Sequence, residues 1–161
     1  MSYWYKLSIL GLPILKDQLL KLEEFSLKDR FINQLPEDCL VQIQPLNVEA
    51  SKSLWDYILR INLHADTPFQ KGFFRKISKI EVTDFNNLEV RKWLSKKEIL
   101  FTKKVYLSYT PTEALIVPWG ILAKYYELFY KKGNDDLTVL DESQNWAALF
   151  YNDSEIYFGS K

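Results

Sequence analysis

A chain of 161 residues falls in the size range of one domain and can bury roughly 70% of its unfolded surface around a single core. Its 21 basic and 21 acidic side chains cancel, which argues against the basic composition usual for nucleic-acid-binding domains. One cysteine, Cys39, and one histidine, His64, exclude an intramolecular disulfide and do not support a tetrahedral zinc site. The expectation is a single domain over 1–161. Leu7 to Leu15 is too short for a membrane span and is interrupted by Gly11 and Pro13, so it does not read as a signal peptide either, and the expected location is cytoplasmic.

The first twelve residues suit an extended segment. Leu15, Leu19, Leu20, Leu22 and Phe25 then follow a loose helical spacing behind Pro13, a residue tolerated in the first turn of a helix. Leu35-Pro36-Glu37-Asp38 reads as a loop. Asn47 caps a cleaner helix with a stripe of Leu54, Trp55, Ile58, Leu59 and Ile61. Residues 64–79 read as irregular and basic, and Asn86 or Asn87 opens a short helix carrying Leu88, Val90, Trp93 and Leu94.

From Val105 the period changes to two. Val105, Leu107 and Tyr109 alternate with Tyr106 and Ser108, and Thr110-Pro111-Thr112-Glu113 connects them to a second strand, Ala114 to Val117. Pro118 starts a long helix with the stripe Ile121, Leu122, Tyr125, Leu128 and Phe129, ended by Gly133. Strands over 137–140, 146–151 and 155–158 close the chain, the last two flanking Asn152-Asp153-Ser154. The predicted class is α+β, with an antiparallel sheet of about five short strands in the C-terminal half, a long inserted helix, and N-terminal helices packed against them.

The raw material for catalysis is thin. His64 lies near Asp66, but a polar loop histidine is usually only solvated. Cys39 follows the acids Glu37 and Asp38 and reads as a small buried apolar residue rather than a nucleophile. The five glycines never form a phosphate-binding loop, and Asp135-Asp136 with Asp141 and Glu142 lack the spacing of a calcium loop. The expectation is a protein that is not an enzyme and holds no cofactor or metal.

Charge is unevenly distributed. Residues 61–110 carry ten bases against five acids, and residues 111–161 carry four bases against eight acids. The basic segment 69–104 interleaves Lys71, Arg75, Lys76 and Lys79 with Phe69, Phe73 and Phe74, and continues through Arg91, Lys92, Lys96, Lys97, Lys103 and Lys104. Cations and rings in that arrangement suit a nucleic-acid-binding module, which is the alternative reading.

The residues Leu35-Pro36-Glu37, Ile43, Pro45-Leu46, Ser53-Leu54-Trp55, Val105, Tyr106, Tyr109, Trp119-Gly120, Phe129 and Asp135-Asp136 occur in order, before a closing pattern of Trp146, Phe150-Tyr151, Glu155 and Phe158-Gly159. Over residues 35 to 159 this resembles a family of small uncharacterised bacterial proteins, and the closing pattern is similar to the immunity proteins of contact-dependent growth inhibition systems. The resemblance implies a non-catalytic inhibitor that occludes the active site of a cognate toxin domain, a nuclease with a basic surface. An acidic patch would speed encounter with such a partner. The candidate partner-binding residues are Asp135, Asp136, Asp141, Glu142, Asp153 and Glu155, with Tyr151 and Tyr157 as aromatic anchors.

Overall fold

A computed structural model describes residues 3–9 and 12–161, with side chains from Asp17 onward; Gly11, which interrupts the first apolar stretch, lies outside them. In chain order the strands are β1 Tyr3–Ile9, β2 Leu12–Leu15, β3 Gln44–Leu46, β4 Lys76–Glu81, β5 Lys104–Thr110, β6 Glu113–Pro118, β7 Leu137–Leu140, β8 Trp146–Tyr151 and β9 Glu155–Ser160. The helices are α1 Glu37–Leu40, α2 Val48–Arg60, α3 Asn87–Ser95, α4 Trp119–Lys124 and α5 Tyr126–Phe129. β1 and β2 form an antiparallel ribbon, and the other seven strands form one antiparallel sheet in the order β3-β6-β5-β7-β8-β9-β4.

The class is α+β, as the change of period indicates, but the sheet holds seven strands rather than about five. The two additional strands are its edges. β3 contains Pro45, which removes a ladder donor and is tolerated at an edge. β4 lies in the stretch that reads as irregular, and its isoleucines, Ile77 and Ile80, are three residues apart. An edge strand left largely to solvent has no second face to bury, so no apolar alternation is needed.

Two further expectations are corrected. Residues 13–25 form β2 and single 3-10 turns at Lys16–Gln18 and Leu22–Glu24, not a helix. The long helix from Pro118 is broken at Tyr125 (φ −122°, ψ 32°) into α4 and α5. Leu35-Pro36 leads directly into α1.

Both faces of the sheet are covered. Val105, Leu107, Leu115, Val117, Val139, Phe150 and Ile156 form one core with Val90 and Leu94 of α3 and Trp119, Leu122 and Phe129 from α4 and α5. Tyr106, Ala114, Ile116, Leu140, Ala147 and Leu149 form the opposite core, under Ala50, Leu54 and Ile58 of α2 and under Leu63, Phe69 and Phe74 from the loop that follows. Burial on both faces is why the central strands read as near-continuous apolar runs.

Aromatic pairs fill the first core: Trp119 meets Trp146 edge to face at 5.4 Å, and Trp146 stacks on Phe158 at 5.5 Å. Trp119 and Trp146 are buried, and Phe158 is half-buried. In the second core Phe74 lies against Gly159, where a Cβ would fall 2.3 Å from the ring. Asn47 accepts a hydrogen bond from the Ala50 amide (2.9 Å), the cap expected for α2.

Candidate functional site

α2 covers only part of its face of the sheet. Leu54 and Ile58 point into the core, Trp55 is half-buried, and Leu59 is 59% exposed. Past its C-terminus, Asn62 takes a left-handed conformation (φ 55°) and turns the chain back over β7 and β8. Between this turn and the sheet lies a cavity of about 240 Å³ with mostly apolar walls, formed by Trp55, Ile58, Leu59, Pro68, Leu149 and Tyr151, with His64, Thr67, Asp136 and Thr138 as polar members. That volume is below the roughly 300–1,000 Å³ of sites for drug-sized ligands. It suits one side chain of a partner.

His64 anchors the cavity wall. Its Nδ1 lies 2.7 Å from the Pro68 carbonyl, which can only accept, so Nδ1 carries a proton and donates. In the neutral ring Nε2 then accepts from the Thr138 hydroxyl at 2.9 Å. Burial lowers the His64 pKa below its ordinary value, against the opposing pull of the Pro68 hydrogen bond and the Asp136 charge. With Phe69 stacked at 5.7 Å, the imidazole is held in place by groups on both sides.

The eight predicted partner-binding residues divide into two groups. Asp135 is buried: Arg30 Nη1 and Nη2 donate to its Oδ2 and Oδ1 at 2.6 and 3.0 Å, and the Lys131 amide donates at 2.8 Å. Asp141 is also buried, accepting from Trp146 Nε1 at 2.9 Å and from the Ser143 amide at 2.8 Å. Glu142 pairs with Lys103 at 2.8 Å beside Asp141, on the connection from β7 to β8. These three carboxylates hold connections together, and Asp135 and Asp141 present almost no charge to solvent. Segregation of acids to the last third of the sequence therefore does not make one acidic patch.

The other five converge. Asp136 precedes β7, Tyr151 ends β8, Asp153 lies in the hairpin tip and Glu155 opens β9, so all four come to one end of the sheet. Asp136 is exposed and accepts from the Asn152 amide and side chain at 3.0 and 3.1 Å, tying it to the tip. Tyr151 and Tyr157 lie edge to face at 6.4 Å on the α2 side of the sheet, and Lys79 bridges to Glu155 at 3.0 Å beside Tyr157. The Tyr130 hydroxyl donates to the Tyr151 carbonyl and fixes the backbone there.

Trp55, Leu59 and His64 are the site residues that the sequence reading missed. One signal was present: an apolar stripe taking in Leu54, Trp55, Ile58, Leu59 and Ile61 is wider than a single sheet contact buries.

The basic segment 69–104 does not form one surface. Phe69 and Phe74 are buried in the second core, where no base can stack on them. Lys71, Arg75, Lys76 and Lys79 lie at or before the β4 edge, while Arg91 and Lys92 lie on α3. Among the described residues, no group of three or more His, Cys, Asp and Glu side chains is placed to hold a metal ion, and no helix is long and apolar enough to cross a membrane.

No protein-family model matches this chain, and no curated protein or solved structure matches it significantly. The likeness to immunity proteins thus rests on the residues quoted for it.

Proposed function

We propose that this protein is an intracellular immunity protein that binds a cognate bacterial toxin domain, a nuclease with a basic surface, and blocks it by occluding its active site. The observation that carries the reading is the cavity under Trp55, Leu59 and Tyr151 with the exposed carboxylate of Asp136 among its lining groups. An apolar slot beside a carboxylate fits an arginine or lysine, whose aliphatic stem packs while its head pairs. Tyr157 and Asp153 extend the same surface with an amphipathic ring and further negative charge, while Glu155 is paired with Lys79 at its edge; this is the composition of an interface hot spot with a steering rim. The choice of a toxin as the partner rests on the resemblance.

The test is calorimetric titration with the C-terminal domain encoded by the gene immediately upstream. Tight one-to-one binding that abolishes the domain's toxicity, weakened at least tenfold by Asp136→Lys or Tyr151→Ala, supports the reading. Absence of binding at micromolar concentrations overturns it.

A further inference from the structure

On the opposite side of the sheet a second, larger concavity of about 610 Å³ runs between α3 and α4. Each helix supplies residues at i, i+1 and i+4: Arg91, Lys92 and Ser95 from α3, and Gly120, Ile121 and Lys124 from α4. That spacing puts each trio on one helical stripe. The floor is the first pair of the β5–β6 ladder, Lys104 opposite Pro118. Among the described residues, Arg91, Lys92, Lys104 and Lys124 line the groove and no acidic side chain does. Arg91 is paired at its edge with Glu127.

Phe101 forms the remaining wall. Its carbonyl accepts from the Gly120 amide at 2.9 Å, and the Lys103 carbonyl accepts from Trp119 at 2.8 Å, so the loop is clamped to the start of α4. The approach requires glycine at 120, because a Cβ there would lie 2.9 Å from the Phe101 Cβ and 3.1 Å from its carbonyl oxygen. The backbone is thereby fixed while Phe101 stays 58% exposed. A held but uncovered aromatic ring beside clustered cations is a stacking platform next to a phosphate-binding wall.

We infer that this groove binds a nucleotide unit, with its phosphates on Lys92, Lys124 and Arg91 and its base against Phe101. Lys92 and Lys124, both exposed, bring positive charge to the groove from two helices, and an anion would neutralise it. A volume within the usual small-ligand range matches one nucleotide. Ser95, Thr102 and Gln42 supply neutral hydrogen-bonding groups along the same walls. The ligand is a free nucleotide or one unit of a single strand, and both present the same chemistry. The inference is independent of the immunity reading, since the groove and the His64 cavity lie on opposite faces of the sheet.

The experiment is fluorescence anisotropy of a labelled single-stranded oligothymidylate with the full chain at about 50 mM salt, with ATP and tripolyphosphate as competitors. Binding is expected to weaken about twenty-fold between roughly 50 and 200 mM salt if three phosphates are engaged. The double variant K92E/K124E, at two exposed positions, should lose at least tenfold in affinity. Phe101→Ala should lose about tenfold for the strand and leave competition by tripolyphosphate unchanged. A control, K71E/R75E before the β4 edge, should bind as the parent does, and melting curves establish that each variant is folded. Competition by ATP at the concentration of strand nucleotides assigns the free nucleotide, and failure of ATP to compete assigns the strand. No binding up to about 100 µM, binding untouched by K92E/K124E, or binding indifferent to Phe101→Ala overturns the inference. Titration of the upstream toxin domain with K92E/K124E reads the immunity function separately.

Discussion

Arg30 and Asp135, 105 residues apart in the chain, meet through two parallel hydrogen bonds. The pair ties the 3-10 turn Lys28–Arg30 to the loop after α5. Arg30 also lies over the Tyr109 ring at 5.5 Å, and the Tyr109 hydroxyl donates to the Phe129 carbonyl at 2.6 Å in the same layer. A carboxylate chosen from the sequence as a partner contact thus works as an internal clamp.

Removing one member leaves the other charge partly buried and unpaired. Asp135→Ala should cost about 3 kcal/mol of stability, measured by urea denaturation at neutral pH. An effect below about 0.5 kcal/mol, the range of ordinary surface changes, would contradict the clamp.

The same pair sets an acid limit. Burial alone would raise the Asp135 carboxyl, but the hydrogen bonds from Arg30 and the Lys131 amide, with the Arg30 charge, outweigh it and hold its pKa below the usual value. Because the folded pKa lies below the unfolded one, the clamp contributes fully above about pH 4 and is lost as the pH falls through the folded value. Asp135→Asn should remove that part of the acid sensitivity, as followed by melting temperature against pH.

His64 is the single histidine of the chain, so one pair of ring resonances reports its titration by NMR. Its midpoint should lie below about 6.5, because burial disfavours the cation. Stability is then unaffected above that value and declines as the pH drops from there through the folded pKa. The Asp136 charge opposes this shift, so Asp136→Asn should lower the midpoint further. An unchanged or raised midpoint would place Asp136 too far away to act on the cavity.

Gly159→Ala tests the packing of the second core. The added Cβ would meet the buried Phe74 ring at 2.3 Å, and overpacking of this kind costs about 1–3 kcal/mol. A denaturation midpoint equal to that of the parent protein would show that Phe74 has room to move aside.

Leu59→Ala separates contact from stability. Leu59 is 59% exposed, so the change should alter stability by no more than about 0.5 kcal/mol, while toxin binding under the proposed function falls at least several-fold. Unchanged binding would remove the cavity rim from the interface.

Local chemistry alone determined much of this protein. The cap at Asn47, the stripe of α2, the β5–β6 hairpin around Pro111-Thr112 and the α+β class all follow from neighbours a few residues apart, where period and capping act directly. Tertiary structure decided the rest. It placed the edge strands β3 and β4, which pair with distant segments and bury too little to leave an apolar pattern. It also sorted the acids, because Asp135 and Asp136 are adjacent in sequence but differ in whether a cation from another segment reaches them. Arg30 reaches the first, while the second faces solvent beside a cavity that exists only where α2, the His64 turn and β7–β8 come together. Charge and hydrophobicity are properties of single residues, but a pocket, a clamp or a patch depends on long-range contacts.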